Sequence, residues 1–337
     1  MRKVSLLLFL VVLLSGCGPQ SQEMGNTAVA GVLGAEPARQ GMTLWAAAEG
    51  RAGSAPTFYQ GEGKTPAGAL EDLSASGQQV VTCAHVEHLL LPQSAPALVE
   101  PLLSYAFQDP QQSTESQLWV VRTDGLEGVF SEKSDPVRRM SVLKDFSTAG
   151  QGFRPLKLRE AASALAAGEP FLIPALDLTK DGLTFGGFAL YQGGDFAAWL
   201  TGRTALGAAL LLGQPIHWTD SVGDRAVVLE STGCRVEPRW QGDRLAGLSI
   251  TCRLEGVPVG GWQEEPGDVV QLENATGRAI SEALAILQRA GGDAAGLKGR
   301  AGLASPLRWG SLSRAWAGAF PGLEPEITVR LTLAERY

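Results

Sequence analysis

Short runs in which apolar and polar residues alternate recur along the chain, and segments with helical spacing of apolar residues lie between them. Alternation with a period of two predicts strands, whereas apolar residues three and four positions apart predict helices. The predicted strands are Thr27–Leu33, Gly41–Ala48, Gln79–Ala84, Gln117–Arg122, Phe171–Pro174 with Pro174 as its stop, Thr184–Tyr191, the hairpin of Ala226–Trp240 with Leu245–Leu254, and Glu326–Ala334. The predicted helices are Pro66 to about Leu73, a helix after Pro96, a short one in Gly125–Phe130 capped by Asp124, Pro136–Phe146, Lys157–Ala167, Asp195–Leu212, Asp268–Ala290 and Pro306–Phe320. Strands and helices mixed in this order predict an α+β fold.

The chain is predicted to contain two to three domains, each a mixed or antiparallel β-sheet packed with α-helices. A stretch rich in turn-forming residues at Thr179–Gly182 marks the boundary between them. We therefore assign residues 27–182 to one or two N-terminal α+β domains and residues 183–337 to a C-terminal α+β domain.

The beginning of the chain has the pattern of an export signal. Arg2 and Lys3 precede Val4–Leu14, a run of eleven residues that is apolar apart from Ser5. This run is too short for a helix that crosses a hydrocarbon core of about 30 Å, and it suits a secretory signal. Leu14-Ser15-Gly16-Cys17 follows, with small residues before a cysteine as in a bacterial lipobox. Residues 1–16 are therefore predicted to be a lipoprotein signal peptide, and residues 17–26 a tether that begins with diacylglycerol on Cys17.

Charge and composition exclude some classes of function. The 337 residues include 28 Lys+Arg and 35 Asp+Glu, which gives a net charge of −7. Because a nucleic-acid binder needs clustered basic residues to displace phosphate counterions, and the chain has no basic block, we exclude nucleic-acid binding. The chain has only 3 His, so imidazole-based catalysis is poorly supplied.

Two short patterns resemble nucleotide-binding or nucleophilic motifs. Gly63-Lys64-Thr65 precedes a helix as a phosphate loop does, but Phe58 occupies the place of the glycine that such a loop requires. Thr65 is better interpreted as the cap of a helix that begins at Pro66. Ser141-x-x-Lys144 matches the nucleophile pattern of penicillin-binding enzymes, but the companion motifs are absent from the sequence. No catalytic residue is assigned to either pattern.

The pattern Cys83-x-His85-x-x-His88 could begin a zinc site. On a strand, however, Cys83 and His85 point to one face, His88 emerges on the other face or past the end of the strand, and no fourth ligand is recognisable. Structural or surface roles are therefore the preferred interpretation. We assign no metal ligands and no cofactor.

Cys234 and Cys252 flank the turn of the predicted hairpin, and an exported protein can form disulfides. The hairpin turns at Gln241–Arg244, and a three-residue loop that pairs Gln241 with Leu245 would place the two cysteines opposite each other. A two-residue Gly-Asp turn would shift the register by one residue and point them to opposite faces. The disulfide is thus a hypothesis with both registers open, and Cys83 is predicted to be a small buried apolar residue.

A series of short motifs extends over nearly the whole chain. They are the lipobox at Cys17, Gly61-Glu62-Gly63-Lys64-Thr65-Pro66-Ala67-Gly68-Ala69-Leu70, the His-bearing strand region Cys83–Leu91, Pro170–Pro174, Phe185–Tyr191 leading into Ala198–Thr201, the helix to Gln288, Asp293-Ala294-Ala295-Gly296, Pro306-Leu307-Arg308-Trp309, Trp316 and Phe320. The order of these features resembles the Ger(x)C family, the C-subunit lipoproteins of bacterial spore germinant receptors. The chain departs from the family at Gly18-Pro19, where a Trp-Asp pair is usual, and at Leu91-Pro92-Gln93, where Gly-Glu is usual.

The resemblance implies a lipid-anchored subunit without enzymatic activity that is needed for nutrient-triggered spore germination. It implies a location on the outer face of the spore inner membrane and partners of the integral-membrane A and B type. The alternative is a solute-binding lipoprotein of a membrane transporter. That alternative would require two similar α/β lobes around a hinge, and the sequence pattern lacks two matching halves.

Overall fold

The computed structural model describes residues 27–50, 54–76, 79–108, 113–260 and 265–334. The predicted signal peptide, Cys17 and the tether lie outside the described residues. Among the described residues the strands form two sheets, one of ten strands and one of four, which confirms the α+β class.

The strands of the large sheet are β1 (Thr27–Ala38), β2 (Gly41–Ala48), β3 (Thr57–Gly63), β4 (Val80–Thr82), β5 (His88–Pro92), β6 (Gln117–Val121), β7 (Leu156–Lys157), β8 (Phe171–Thr179), β9 (Gly182–Gln192) and β10 (Asp195–Leu200). Their order in the sheet is β10-β9-β8-β6-β5-β1-β2-β3, with β4 paired to β1 and β7 paired to β6. The helices in this part of the chain are α1 (Pro66–Ser76), α2 (Val99–Gln108), α3 (Pro136–Thr148) and α4 (Leu158–Ala166). The second sheet, with the order β11-β12-β13-β14, consists of β11 (His217–Val222), β12 (Arg225–Gln241), β13 (Arg244–Pro258) and β14 (Glu324–Leu333). Its helices are α5 (Arg203–Leu211), α6 (Asp268–Arg289), α7 (Leu297–Ala304) and α8 (Trp309–Ala319).

Helices cover both faces of the large sheet. One face packs against α1, α2 and α4, and the other packs against α3 and the turns that precede it. The central strand β6 shows the division, because Leu118 and Val120 point to the first core and Trp119 and Val121 to the second. A strand that is buried on both faces reads as a continuous apolar run, as β6 does.

A third core lies between the second sheet and its helices. The apolar face of α6, which includes Ile280 and Leu284, packs on α5 and on β13 residues such as Ile250. Phe188 of β9 and Leu200 of β10 belong to the same core. The two sheets are therefore joined by shared apolar packing.

The large sheet continues past the boundary predicted between residues 182 and 183. Thr179 pairs with Gly182 across a two-residue turn, so that boundary falls inside the β8–β9 hairpin. β10 then pairs with β9, and the first helix of the second part begins at Arg203. The composition of the turn indicates a break in the chain direction, but it does not show that β8 and β9 on either side of it are hydrogen-bonded in one sheet.

The prediction of a helix along Asp195–Leu212 is wrong in its first half, since Asp195–Leu200 forms β10. Gly193 and Gly194 both have positive φ, 59° and 91°, which is the backbone of a tight hairpin turn. The turn returns the chain alongside β9, and strand pairing outweighs the helix propensity of a sequence rich in Ala and Leu.

Two further local predictions are wrong. Pro174 does not end its strand, because the pairing of β8 with β6 begins only at Ala175 and the missing N–H is not required there. Asp124 does not cap a helix, because the segment from 126 to 135 forms turns. The N–H of Leu126 donates instead to Glu36 Oε2 at 2.6 Å, and Glu36 lies 90 positions earlier in the chain.

The hairpin of β12 and β13 has the two-residue turn, with Gln241 paired to Arg244. A β-bulge nevertheless follows in β13: Ala246 has no opposite residue in β12, and the register shifts by one residue. The shift restores the pairing that the short turn would have removed, so Cys234 lies opposite Cys252. Bulges of this kind insert one residue in one strand and thereby change which residues face each other.

Candidate functional site

A cleft of about 780 Å³ opens where β1 begins, between β1, β3 and α3. Its polar wall residues are Thr27, Glu49, Ser54, Thr57, Tyr59, Gln79, His85, Glu87, His88 and Ser141. In the sequence, His85 and His88 belong to one pattern and Ser141 to another. The fold brings all three to this one cleft, which makes it the candidate functional site.

A bulge in β1 positions the residues of the cleft. The pairing of β1 with β2 shifts at Gly31, and the Gly31 carbonyl accepts the N–H of Glu87 at 2.9 Å. The Glu87 carbonyl in turn accepts the N–H of Gln117 at 2.7 Å. The segment before β5 is therefore held on both sides, and Glu87 and His88 line the cleft. Bulges are frequent beside functional sites because they redirect side chains.

His88 is 4% exposed, and its ring contacts the core on the α3 side of the sheet. The indole N–H of Trp119 donates to His88 Nδ1 at 3.3 Å, so the proton of the neutral ring resides on Nε2. Burial lowers the pKa of His88 to about 4. At neutral pH the side chain is therefore an uncharged hydrogen-bond donor in the wall of the cleft.

Glu87 and Lys144 form an ion pair beside the cleft. Lys144 Nζ donates to Glu87 Oε2 at 2.6 Å, and this bond lowers the pKa of Glu87. Because the ammonium group of Lys144 pairs with a carboxylate, it is not placed as the base of a Ser141-x-x-Lys144 nucleophile. Glu87 was not predicted as a site residue, since its partner Lys144 lies 57 positions away and no local pattern marks it.

The cysteine of the Cys83-x-His85-x-x-His88 pattern lies apart from the cleft. Cys83 is buried in the core on the α1 and α2 side, whereas His88 contacts Trp119 on the opposite side. Within the described ranges, no group of three or more His, Cys, Asp or Glu side chains could hold a metal ion.

Gly61 and Gly63 serve helix packing. A Cβ at Gly61 would collide with the backbone of Leu73, and one at Gly63 would collide with that of Ala69. The absence of side chains lets α1 lie directly on β3. Thr65 Oγ1 accepts the N–H of Gly68 at 3.2 Å, as expected for the helix cap.

Cys234 and Cys252 are free thiols that lie side by side, and Cys252 is buried. The hydrogen bond between them lowers the pKa of Cys234 and raises that of Cys252. The guanidinium group of Arg300 lies beside the pair and donates to the Cys234 carbonyl at 3.5 Å. Cys234 is thus the thiol of the two that ionises first.

No helix in the described part of the chain combines the length and the apolar character that crossing a bilayer requires.

No family model matches the chain, and no curated protein sequence matches it significantly. Among solved structures, the crystal structure of the GerBC protein is similar, with a TM-score of 0.60 and 14% sequence identity. The similarity covers 90% of this chain and 97% of that one. The Ger(x)C-like fold expected from the sequence is therefore confirmed for nearly the full length of both chains.

Proposed function

We propose that the chain is a lipid-anchored, non-enzymatic subunit of a spore germinant receptor, needed for nutrient-triggered germination. The observation that carries this proposal is the fold shared with GerBC across 90% of this chain. The name GerBC has the form Ger(x)C, the family whose sequence features the chain resembles. A match that spans both sheets favours a common architecture over a single shared domain.

Cys17 is the proposed membrane anchor, and the proposed partners are integral-membrane subunits of the A and B type. The first described strand begins at Thr27, ten positions after Cys17. A diacylglycerol supplies two acyl chains, and two chains anchor durably where one binds only marginally. The proposed location is the outer face of the spore inner membrane.

The chemistry of the cleft supports a role without catalysis. His88 Nδ1 accepts from Trp119, and Lys144 pairs with Glu87. Both groups already have partners, whereas a nucleophile needs a base within hydrogen-bond reach and free to take its proton. The proposal therefore assigns the activity of the protein to its surfaces.

The test is deletion of the gene followed by measurement of spore germination with a panel of nutrients. The deletion strain should fail to respond to at least one nutrient, and the wild-type gene should restore the response. Cys17→Ala should not restore it, because the lipid tether is lost. A deletion strain that germinates like its parent with every nutrient would refute the proposal.

A matched variant tests whether the cleft matters. Substituting His85, His88 and Ser141 together should leave germination nearly intact, provided that the protein accumulates and assembles. If this variant assembles with its partners but loses germination, the cleft carries essential chemistry and the assignment to surfaces is wrong.

The presence of a cleft is consistent with the alternative of a solute-binding lipoprotein, but its location is not the one expected of that class. Its wall is formed by residues between Thr27 and Ser141, all in the part of the chain that builds the large sheet. A solute-binding protein instead closes two similar lobes around its ligand. Saturable binding of a transported solute, together with a normal germination response of the deletion strain, would favour the alternative.

A further inference from the structure

Three large apolar side chains are exposed at the corner where α7 turns into α8. Leu303 is 83% exposed, Leu307 102% and Trp309 45%. They lie within seven residues of sequence, in a stretch where residues 306–311 are all exposed. Single exposed apolar residues are common on protein surfaces, but neighbouring ones mark an interaction surface.

The corner is held in a defined shape. Pro306–Arg308 forms a single 3-10 turn between the two helices. The Trp309 ring packs on Gly302, where any Cβ would collide with it. Asp293 Oδ1 and Oδ2 accept backbone N–H groups at the start of α7, at 2.8 and 2.7 Å. The exposure of the apolar side chains is thus built into the fold.

The same segment is basic in an acidic protein. Residues 294–323 contain four basic residues, Lys298, Arg300, Arg308 and Arg314, and no acidic residue, whereas the whole chain has a net charge of −7. Arg300 is occupied beside Cys234, but Arg308 and Arg314 are exposed.

Two of these cations lie around the corner. Lys298 Nζ lies 5.9 Å from the centre of the Trp309 ring. Arg308 lies over the Trp240 ring and donates to the carbonyl of Gly242. The basic groups therefore border the exposed apolar side chains.

We propose that this corner, defined by Leu303, Leu307 and Trp309 with the cations Lys298, Arg308 and Arg314, contacts a bilayer that contains anionic lipids. Leucines enter the boundary of the acyl chains, and tryptophan prefers the level of the headgroups. Lysine and arginine bind the anionic headgroups. Charge complementarity favours this occupant over a protein surface of unspecified charge.

The contact would determine which face of the protein lies on the membrane, and this role rests on the lipid anchor proposed above. The ten residues from Cys17 to Asn26 span at most about 36 Å, so the lipid anchor by itself limits the distance of the body from the membrane and does not select a face. A second contact at the corner selects the face. The surfaces available to partner subunits would then face a fixed direction.

The test uses the natively lipidated chain in vesicles made of equal parts phosphatidylcholine and phosphatidylglycerol, and in pure phosphatidylcholine vesicles. Lipids brominated near the top of the acyl chain quench tryptophans that reach them. We expect quenching of the wild type in anionic vesicles, and loss of that component in Trp309→Phe. Leu303→Ser with Leu307→Ser should also reduce it. Phe146→Ser, at an exposed apolar residue of α3, is the matched control and should not.

A second arm measures the electrostatic part with the mature chain carrying Cys17→Ser, which keeps every described strand and helix. Each basic side chain near an anionic surface strengthens binding about fivefold, so Lys298→Gln with Arg308→Gln and Arg314→Gln should weaken vesicle binding on the order of a hundredfold. Unfolding midpoints equal to that of the wild type verify that the variants fold.

The outcomes separate the two proposals. Lipidated wild-type chain that fails to stay on vesicles contradicts the anchor, whatever the corner does. Chain that stays on the vesicles but shows equal quenching in wild type and Trp309→Phe overturns the corner contact. If the corner variants leave quenching unchanged yet no longer co-purify with the membrane subunits, a protein occupies the corner and the proposal is wrong.

Discussion

Cys234 and Cys252 face each other in the register of β12 and β13, and oxidation is expected to join them. Opposite residues of an antiparallel pair have Cβ atoms about 4.5–5.5 Å apart, close to the separation of about 3.5–4.5 Å in a disulfide. The Cys234 thiolate forms first, because its pKa is lowered by the hydrogen bond with Cys252. It attacks an oxidised thiol compound, and Cys252 then displaces that thiol to complete the bridge.

The size of the effect follows from the loop that the bridge would close. The segment from Cys234 to Cys252 contains 19 residues. Loss of chain entropy in the unfolded state for a loop of this length stabilises a protein by about 3 kcal/mol. Closing the small gap between the Cβ atoms costs part of this, so we expect a gain of about 2–3 kcal/mol in the free energy of unfolding.

The assay is alkylation in denaturant of the lipidated chain, with intact mass as the readout. Before oxidation, Cys83, Cys234 and Cys252 should all be alkylated. After treatment with oxidised glutathione only Cys83 should be, and urea unfolding should move to higher concentration. Cys252→Ala is the control and should show no such shift. Three alkylated thiols after oxidation, or identical unfolding of the two forms, would refute the reasoning.

Three further predictions test other contacts. Gly207→Ala should lower the free energy of unfolding by about 3 kcal/mol, because the new Cβ would collide with the Ala279 carbonyl between α5 and α6. Gly318→Ala in α8 is the control; its Cβ enters open space and should raise the free energy of unfolding by about 0.5–1 kcal/mol. Equal effects of the two substitutions in urea unfolding would contradict this. The pKa of His88 is lowered from 6.5 in the unfolded chain to about 4 in the folded one. As the pH falls, the unfolded chain therefore binds a proton before the folded chain does, so the free energy of unfolding is highest above pH 6.5 and decreases toward pH 4. His88→Gln should flatten that part of the pH profile of stability, and an unchanged profile would show that another group causes it. Asp293→Ala removes the acceptor of two N–H groups at the start of α7 and should lower the free energy of unfolding by about 1 kcal/mol. Asp293→Asn keeps one acceptor and should lower it less. A larger loss in Asp293→Asn than in Asp293→Ala would contradict the capping role of Asp293.

The sequence alone predicted the elements whose signal is local. The helix that begins at Pro66 is capped by Thr65, and the long helix α6 shows the apolar spacing that its burial requires. The hairpin of β12 and β13 follows from alternation on both sides of a Gly-Asp turn. The resemblance also led to the Ger(x)C-like fold, because the order of weak motifs retained information that each motif lacked.

Properties that depend on distant residues were decided only by the tertiary structure. Asp195–Leu200 became a strand because β9 was available to pair with it, although its composition favours a helix. The Cys234–Cys252 register depended on a bulge at Ala246 that no turn rule indicates. The gathering of His85, Glu87, His88 and Ser141 at one cleft depended on a bulge in β1 and on the position of α3.

The exposed corner illustrates the same division. Trp309 and Trp316 are seven positions apart, and the sequence pattern does not distinguish their burial, yet Trp316 is buried and Trp309 is exposed. Helical spacing fixes which residues share a face, because it follows from backbone geometry within one segment. Whether that face is covered depends on what the rest of the chain packs against it, and the free energy of that packing is set by contacts between residues far apart in sequence.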